Sequence, residues 1–204
     1  MEIFNIRVYN LEESAVASGF AKVSKYPTAS EFDAAVDLAR KLGPESDHMK
    51  RLFRLASYGD GSGHKNALKG VQVCFNVTAP IKWWMQAQRY SHFDIVSSMS
   101  TQHRLKELIK TGTIRFSADT SMDVINRFFS FFYENEDATT AELSQSAPMG
   151  LELCAHISTN YLQLRTIWVQ RHTHPLEEWK RFCEVIETLP YAEYLISNKQ
   201  GGKQ

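Results

Sequence analysis

Residues 62–104 read SGHKNALKGVQVCFNVTAPIKWWMQAQRYSHFDIVSSMSTQHR, and they contain a strand pattern, a helix start and a polar loop in succession. Apolar and polar residues alternate from Val71 to Thr78, which predicts a strand over 70–78. The period changes at Ala79-Pro80, and proline is favoured in the first turn of a helix. A helix from Pro80 to about Arg89 is therefore predicted to follow the strand.

The end of that helix and the loop after it carry the first candidate site. Gln86 and Arg89 are three residues apart, so they share a face of the helix. The loop over 91–104 then supplies hydroxyls, amides and a guanidinium, which are the donors that a phosphate or a pyrimidine edge requires. An alternative is that this loop only caps the next helix, which would begin at Ser98, Ser100 or Thr101 and end at Gly112. Both can hold, because the start of a helix also attracts anions.

The rest of the chain alternates between strand and helix patterns. Two more strands are predicted at 3–9 and 151–157, and helices are predicted at 11–18, 30–42, 46–55, 121–133, 160–174 and 176–189. Ser30 with Asp33 resembles a capping box for the second of these helices. The segment 134–146 has few large apolar residues, which is typical of a mobile or acidic surface segment. We therefore expect a mixed α/β (α+β) protein with helices flanking a central sheet.

Two features of the predicted helices bear on packing and partners. Large apolar residues lie almost all round the helix at 121–133, which indicates deep burial or a subunit interface. Lys50, Arg51 and Arg54 lie on one side of the helix at 46–55, which is typical of a solvated face and not of a binding patch.

Length, charge and composition limit the classes of function. A chain of 204 residues suits one domain, which we expect over 1–196, followed by a disordered tail at 197–204. With 23 basic and 23 acidic side chains the net charge is zero, which argues against duplex nucleic acid as the main partner. No apolar run is long enough to span a membrane and no leader pattern opens the chain, so a cytoplasmic location is expected.

Several catalytic and metal motifs are excluded by spacing. The three cysteines are far apart and lack ligand spacing, so we expect reduced thiols. His172 and His174 have no third ligand at a recognisable spacing, so no metal site is predicted. The glycines over 59–63 lack the Lys-Ser/Thr ending of a phosphate-binding loop. The serines near His92 lack a nucleophile elbow.

The order of these motifs resembles the flavin-dependent thymidylate synthases. Gly63-His64, a strand, Ala79-Pro80-Ile81, and a helix with Gln86 and Arg89 occur in the family's order, where the helix carries Q-x-x-RHR. A second segment agrees as well. Asn160-Tyr161-Leu162-Gln163-Leu164-Arg165, later Arg171, and then Glu178-Trp179 are similar to the family's N-x-R-E-L-R, later Arg and Q-W. The resemblance covers residues from about 60 to 185.

This resemblance implies a homotetramer with a mostly antiparallel sheet that binds FAD and a pyrimidine nucleotide, dUMP, and methylates dUMP to dTMP with methylenetetrahydrofolate. It implies that Arg171 is the catalytic residue, which contacts and polarises the uracil ring. The same comparison implies a role in nucleotide binding for Gln86, Arg89, Ser98, Ser100 and Arg171. The implied cofactor-binding residues are His64, Tyr90, Asn160 and Thr166.

The chain also departs from the family pattern. Tyr90 and Ser91 occupy the second and third positions of RHR, Leu162 replaces an arginine, and Lys69-Gly70 stand where the family has Glu-His. Each lost charge-assisted hydrogen bond is worth about 1.5–3 kcal/mol, so the losses weaken flavin binding unless other groups replace them. An alternative hypothesis is therefore a catalytically inactive homologue that binds a nucleotide or a protein partner without flavin. A third is that the polar loops only cap helices and close a subunit interface.

Overall fold

The computed structural model describes residues 1–59, 63–135 and 137–197. Its four strands are β1 Glu2–Tyr9, β2 Gln72–Pro80, β3 Phe93–Ser98 and β4 Glu152–Asn160. They form one antiparallel sheet in the order β1-β2-β4-β3, which confirms the predicted α+β class. None of the helices in the described ranges is long and apolar enough to cross a membrane.

The helices follow the predicted periodicity closely, and the described residues form ten. They are α1 Leu11–Ala17, α2 Ala29–Leu42, α3 Asp47–Ser57, α4 Ile81–Ala87, α5 Thr101–Lys110, α6 Met122–Glu134, α7 Thr140–Ser146, α8 Tyr161–Arg171, α9 Glu177–Ile186 and α10 Ala192–Leu195. A 3-10 segment, His64–Lys69, precedes β2. The glycine-rich joint predicted at 59–63 falls largely on residues 60–62, which lie outside the described ranges.

The chain divides into two compact units. Unit 1 comprises Met1–Asn5 and Phe75–Ile157, and unit 2 comprises Ile6–Cys74 and the described part of Ser158–Gln204. Strands β1, β2 and β4 each begin in one unit and end in the other.

The core of unit 1 lies among α5, α6 and α7. Leu105, Ile109, Phe128 and Leu143 are buried there, and α5 packs against α7. The prediction of a mobile segment over 134–146 was wrong for its second half, because α7 forms there with a capping box and a fully buried Leu143. Composition misled here because a single leucine and two capping residues are enough to fix this short helix.

Helix α6 is less uniformly buried than its sequence suggested. Ile125 and Phe128 are buried, whereas Met122 and Tyr133 are each 64% exposed. The aromatic residues therefore form one packed face and not an all-round core.

Strand β3 was missed by the sequence analysis, which treated 91–104 as a loop. Phe93 is its one buried residue, and its ring packs 6.0 Å from that of Trp83, centroid to centroid. The other five residues are exposed at the edge of the sheet. Because only Phe93 is buried, β3 lacks the alternation of a strand with one buried face, and its sequence therefore carries little signal.

In unit 2, α1 packs against α2 and α3. The capping box of α2 is formed by Thr28 and Glu31, so the predicted pair Ser30 and Asp33 was wrong by two residues. The helix predicted over 46–55 begins as expected, and Ser46 caps α3, its hydroxyl accepting from the backbone N–H of His48.

The disordered tail at 197–204 stays a prediction. Ser197 is buried and its hydroxyl donates to the carbonyl of Ala192 at 3.4 Å. Residues 198–204 lie outside the described ranges.

Gly70 ends the 3-10 segment at a close approach to α1. A Cβ at this position would lie 2.5 Å from Ser14 Oγ. The absence of a side chain therefore lets this turn pack against the helix.

Candidate functional site

Helix α4 is held in place by two buried tryptophans, and exposed residues follow its end. Trp83 is fully buried, and the indole N–H of Trp84 donates to the carbonyls of Ala79 at 3.0 Å and Leu153 at 3.1 Å. These bonds fix the helix to β4 within unit 1. Ala87 at its far end is buried as well, whereas Gln88 and Arg89, which follow it, are exposed.

Gln86 and Arg89 lie at that end, as predicted. Gln86 is half-buried, and its backbone carbonyl accepts a hydrogen bond from the backbone N–H of Arg89 at 3.3 Å. Arg89 is exposed and Tyr90 is half-buried in the turn after the helix. The backbone of this turn is therefore ordered, and it presents the Arg89 guanidinium to solvent.

The two serines of the predicted phosphate site have different surroundings. Ser100 is the N-cap of α5, where its hydroxyl accepts from the backbone N–H of His103 at 3.3 Å. The helix-capping alternative is thus confirmed for Ser100. Ser98 is the exposed last residue of β3 and lines a cavity of about 210 Å³ together with Gln88 and Thr101. Among the described lining residues of that cavity, Ser98 is the only one predicted to bind nucleotide.

The start of α8 places two predicted cofactor residues. Asn160 is only 7% exposed, and its side-chain oxygen accepts from the Gln163 N–H at 2.9 Å, which caps the helix. The exposed Thr166 donates its hydroxyl hydrogen to the Leu162 carbonyl at 3.0 Å. Both side chains therefore use polar atoms within their own helix.

Arg171, the predicted catalytic residue, is the last residue of α8. Its guanidinium carbon lies 5.0 Å from the centre of the Trp179 ring, and Trp179 is fully buried in α9. Such a cation–π contact holds the planar guanidinium in one place. Arg165, on the same helix, is buried instead and donates to the Leu195 carbonyl at 3.4 Å.

The two histidines after Arg171 are engaged in local contacts. The His172 ring stacks on Trp168 with centroids 4.2 Å apart. The ring Nδ1 of His174 accepts from the Leu176 N–H at 3.1 Å, and burial, together with the nearby Arg171, lowers the pKa of His174 below its ordinary value. No group of three potential metal ligands occurs among the described residues.

His64 lies in unit 2 at the mouth of a cavity of about 770 Å³. Its ring lies 4.7 Å from that of Tyr58, centroid to centroid. Lys22, Arg51 and Arg54 also line this cavity. This grouping was not predicted from the sequence, because the basic residues of α3 have the pattern that is typical of a solvated face.

The predicted site residues are divided between the two units. Unit 1 holds the end of α4 and the β3–α5 serines, and unit 2 holds His64, Asn160, Thr166 and Arg171. That Gln86, Arg89 and Arg171 meet at one nucleotide stays a prediction.

Comparison with known proteins identifies the fold. No family model matches the sequence, and no curated protein matches it. The flavin-dependent thymidylate synthase ThyX from Helicobacter pylori, complexed with FAD and dUMP, aligns with a TM-score of 0.67 over 97% of this chain and 99% of its own. The chain has the flavin-dependent thymidylate synthase fold.

Two further structures agree with this assignment of the fold. A second Helicobacter pylori ThyX structure with FAD and dUMP aligns with a TM-score of 0.66 over the whole of both chains. PolB from Streptomyces cacaoi, a UMP/dUMP methylase bound with 5-Br dUMP, aligns with a TM-score of 0.60 over 98% of this chain and 94% of its own. Sequence identity is 14% in all three cases, so the likeness is one of fold.

The residues predicted to contact FAD are a poor match to its diphosphate. His64, Tyr90, Asn160 and Thr166 include no lysine or arginine, so they supply no permanent positive charge to the diphosphate. Asn160 and Thr166 also use polar atoms inside α8. These four residues therefore do not by themselves fit the cofactor.

Proposed function

We propose that this chain is a divergent member of the flavin-dependent thymidylate synthase family that binds a pyrimidine nucleotide, with dUMP as the ligand. The observation that carries the proposal is the agreement in fold over at least 97% of the chain with structures solved with dUMP or 5-Br dUMP. The motifs around Arg89 and Arg171 support it independently, because they occur in the family's order.

Arg171 is the proposed catalytic residue. Its guanidinium is held against the buried Trp179 ring, so it is a fixed and permanently charged donor. A donor of this kind binds a uracil carbonyl and stabilises the negative charge that makes carbon 5 of the ring nucleophilic toward the one-carbon donor. Arg89, Gln86, Ser98 and Ser100 are proposed to bind the same nucleotide, with the hydroxyls near its phosphate.

Titration calorimetry with dUMP tests this proposal. Arg171→Gln should weaken dUMP binding about ten- to hundredfold, because it removes a charge-assisted hydrogen bond. Arg181→Gln is the matched control, since Arg181 is exposed on α9 and the substitution removes the same charge. Absence of dUMP binding to the folded wild-type protein would contradict the proposal.

A second candidate function is nucleotide binding without flavin chemistry. It is favoured by the poor fit of the four predicted flavin residues to a diphosphate. The visible absorbance spectrum of the purified protein, before and after addition of FAD, tests whether flavin is bound. Formation of dTMP from dUMP, with methylenetetrahydrofolate and a reductant supplied, would rule out the inactive homologue.

A homotetramer is proposed on the same family resemblance. Helix α6 and strand β3 expose Met122, Val124, Tyr133, Ile95 and Val96, which supports burial of apolar surface between subunits. Light scattering on the eluting protein should give four times the mass of the 23.4 kDa chain. A monomeric mass would contradict this proposal.

A further inference from the structure

We propose that a cavity between α5, α6 and α7 binds a small aromatic carboxylate, with Lys106 and Lys110 as the ligands of the carboxylate group. The cavity has a volume of about 360 Å³, and the described residues that line it are Lys106, Lys110, Phe132, Tyr133, Asn135 and Leu143. All six belong to unit 1, and none is among the residues assigned above to dUMP or to FAD. The inference therefore goes beyond the proposed function and does not depend on it.

The first observation is the positive charge on one wall of the cavity. Lys106 and Lys110 are four residues apart on α5, so they lie on the same face of the helix, about 5–6 Å apart at Cβ. No carboxylate occurs among the described lining residues, and neither ammonium group has a hydrogen bond or an ion pair within the described ranges. Like charges at this spacing repel each other. An anion bound between them would relieve the repulsion.

Glu142 is the acidic residue that interacts with Lys106, but it is occupied by the cap of α7. Its Oε2 accepts from the backbone N–H of Thr139 at 2.7 Å and from the Thr139 hydroxyl at 2.9 Å. These hydrogen bonds are the main cause that lowers the pKa of Glu142, burial acts in the opposite direction, and the charge of Lys106 contributes less. Lys106 is therefore available to an anion from solution.

The second observation is the aromatic and apolar part of the lining. Phe132 and Tyr133 lie at the end of α6, with ring centroids 5.1 Å apart and ring planes at 75° to each other. Leu143 of α7 is fully buried and completes this part of the lining. Aromatic rings pack favourably on one another in stacked or edge-to-face arrangements. The lining therefore suits a ligand that carries a flat ring next to its negative charge.

The third observation concerns the size of the ligand and the groups on its ring. The Asn135 side-chain amide donates to the Phe131 carbonyl at 2.9 Å, whereas its oxygen accepts no hydrogen bond from the described residues. That oxygen can only accept, so a hydroxyl group on the ring would satisfy it. Ligand cavities measure about 300–1,000 Å³, so a volume of about 360 Å³ favours a ligand with a single ring over a nucleotide or a flavin.

Titration calorimetry of the full chain with 4-hydroxybenzoate tests the inference. Benzoate should bind about three- to tenfold more weakly, because it lacks the hydroxyl group that Asn135 accepts from. The alcohol 4-hydroxybenzyl alcohol should not bind detectably, because it has no charge for the two lysines. Saturation of the protein with dUMP should leave the affinity for 4-hydroxybenzoate unchanged, since the two ligands use different residues.

Lysine variants test the charged wall. Lys106→Gln and Lys110→Gln should each weaken 4-hydroxybenzoate binding about tenfold, because each removes a charge-assisted hydrogen bond. Lys82→Gln is the matched control, because Lys82 is exposed on α4 in unit 1 and does not line the cavity. It should change the affinity less than about twofold, since exposed charges at a distance are screened.

Asn135→Ala tests the specificity of the cavity. It should abolish the preference for 4-hydroxybenzoate over benzoate while leaving benzoate binding in place, because only the hydroxyl group loses its acceptor. Circular dichroism of each variant confirms that it is folded.

Three results would overturn the inference. They are no binding of 4-hydroxybenzoate to the wild-type protein at millimolar concentration, equal losses of affinity in Lys82→Gln and Lys110→Gln, and displacement of 4-hydroxybenzoate by dUMP. If dUMP binds while 4-hydroxybenzoate does not, only this inference fails. If 4-hydroxybenzoate binds while dUMP does not, only the proposed function fails.

Discussion

The α8–α9 region, residues 161–186, and the β3–α5 region, residues 93–110, both carry predicted nucleotide-binding groups, but they hold them differently. Arg171 rests on a fully buried tryptophan and Asn160 caps α8 from a position that is 7% exposed. In β3 only Phe93 is buried, and Ser98 is exposed. The geometry of the first region is set by its own core, whereas the second is held in place mainly by backbone hydrogen bonds and a supporting helix.

Trp179→Ala should have the largest effect, because Trp179 is fully buried and packs on Phe182 with ring centroids 5.8 Å apart. Truncation of a buried tryptophan costs about 3–5 kcal/mol of unfolding free energy. Urea denaturation followed by circular dichroism measures it. Lys180→Ala, on the same helix, should change stability by less than about 0.5 kcal/mol. A small effect of Trp179→Ala would show that α8 and α9 do not form a rigid support.

Leu143→Ala tests how the β3–α5 region is supported. Leu143 is fully buried beneath α5, so its truncation should cost about 2–4 kcal/mol. The exposed Gln145→Ala, on the same helix, is the control in the same denaturation experiment. If both variants were as stable as the wild type, the segment 134–146 would be as mobile as its composition suggests. The β3–α5 region would then have no packed support from α7.

The helix caps compare the two regions directly. Asn160→Ala should cost about 1–2 kcal/mol, near the upper end for a cap, because its bond to Gln163 is buried. Ser100→Ala should cost only about 0.5–1 kcal/mol, because its bond to His103 is exposed. An aspartate side chain can accept the same capping hydrogen bond, so Asn160→Asp and Ser100→Asp should each keep most of the stability that the alanine variants lose. Equal costs in chemical denaturation would contradict the distinction between a buried and an exposed region.

The smallest expected effect is a pH dependence of the α8–α9 region. The pKa of His174 is lowered in the folded protein, so the unfolded chain takes up the proton at higher pH. The contribution of neutral His174 to the free energy of unfolding is fully present above the ordinary histidine pKa of 6.5. It is lost as the pH falls below that value. Protonation also removes the acceptor for the Leu176 N–H.

Denaturation midpoints of the wild type and His174→Gln, measured between pH 7.5 and 5, test this expectation. The wild type should lose more stability than the variant over that interval. Thr173→Ala is the control and should follow the wild type. Parallel curves for the wild type and His174→Gln would show that His174 does not cause the pH dependence.

The sequence predicted most of the helices and three of the four strands, because their buried faces impose a clear period. The starts of the helices at Ser46 and Asn160 were also predicted, since the segments that follow them are strongly patterned. Strand β3 was missed because an edge strand needs only Phe93 in the core. The cavity lined by Lys22 and Arg54 was missed because its residues come from separate elements, and a basic helix face has the same pattern whether it is solvated or concave.

Gly70 has a consequence for which residues its turn can accept. A β-carbon there would lie 2.5 Å from the Ser14 hydroxyl oxygen. A larger residue at position 70 would therefore require the Ser14 side chain to turn away. Substitutions at positions 70 and 14 should for this reason be energetically coupled, although the two residues lie in different elements of the chain.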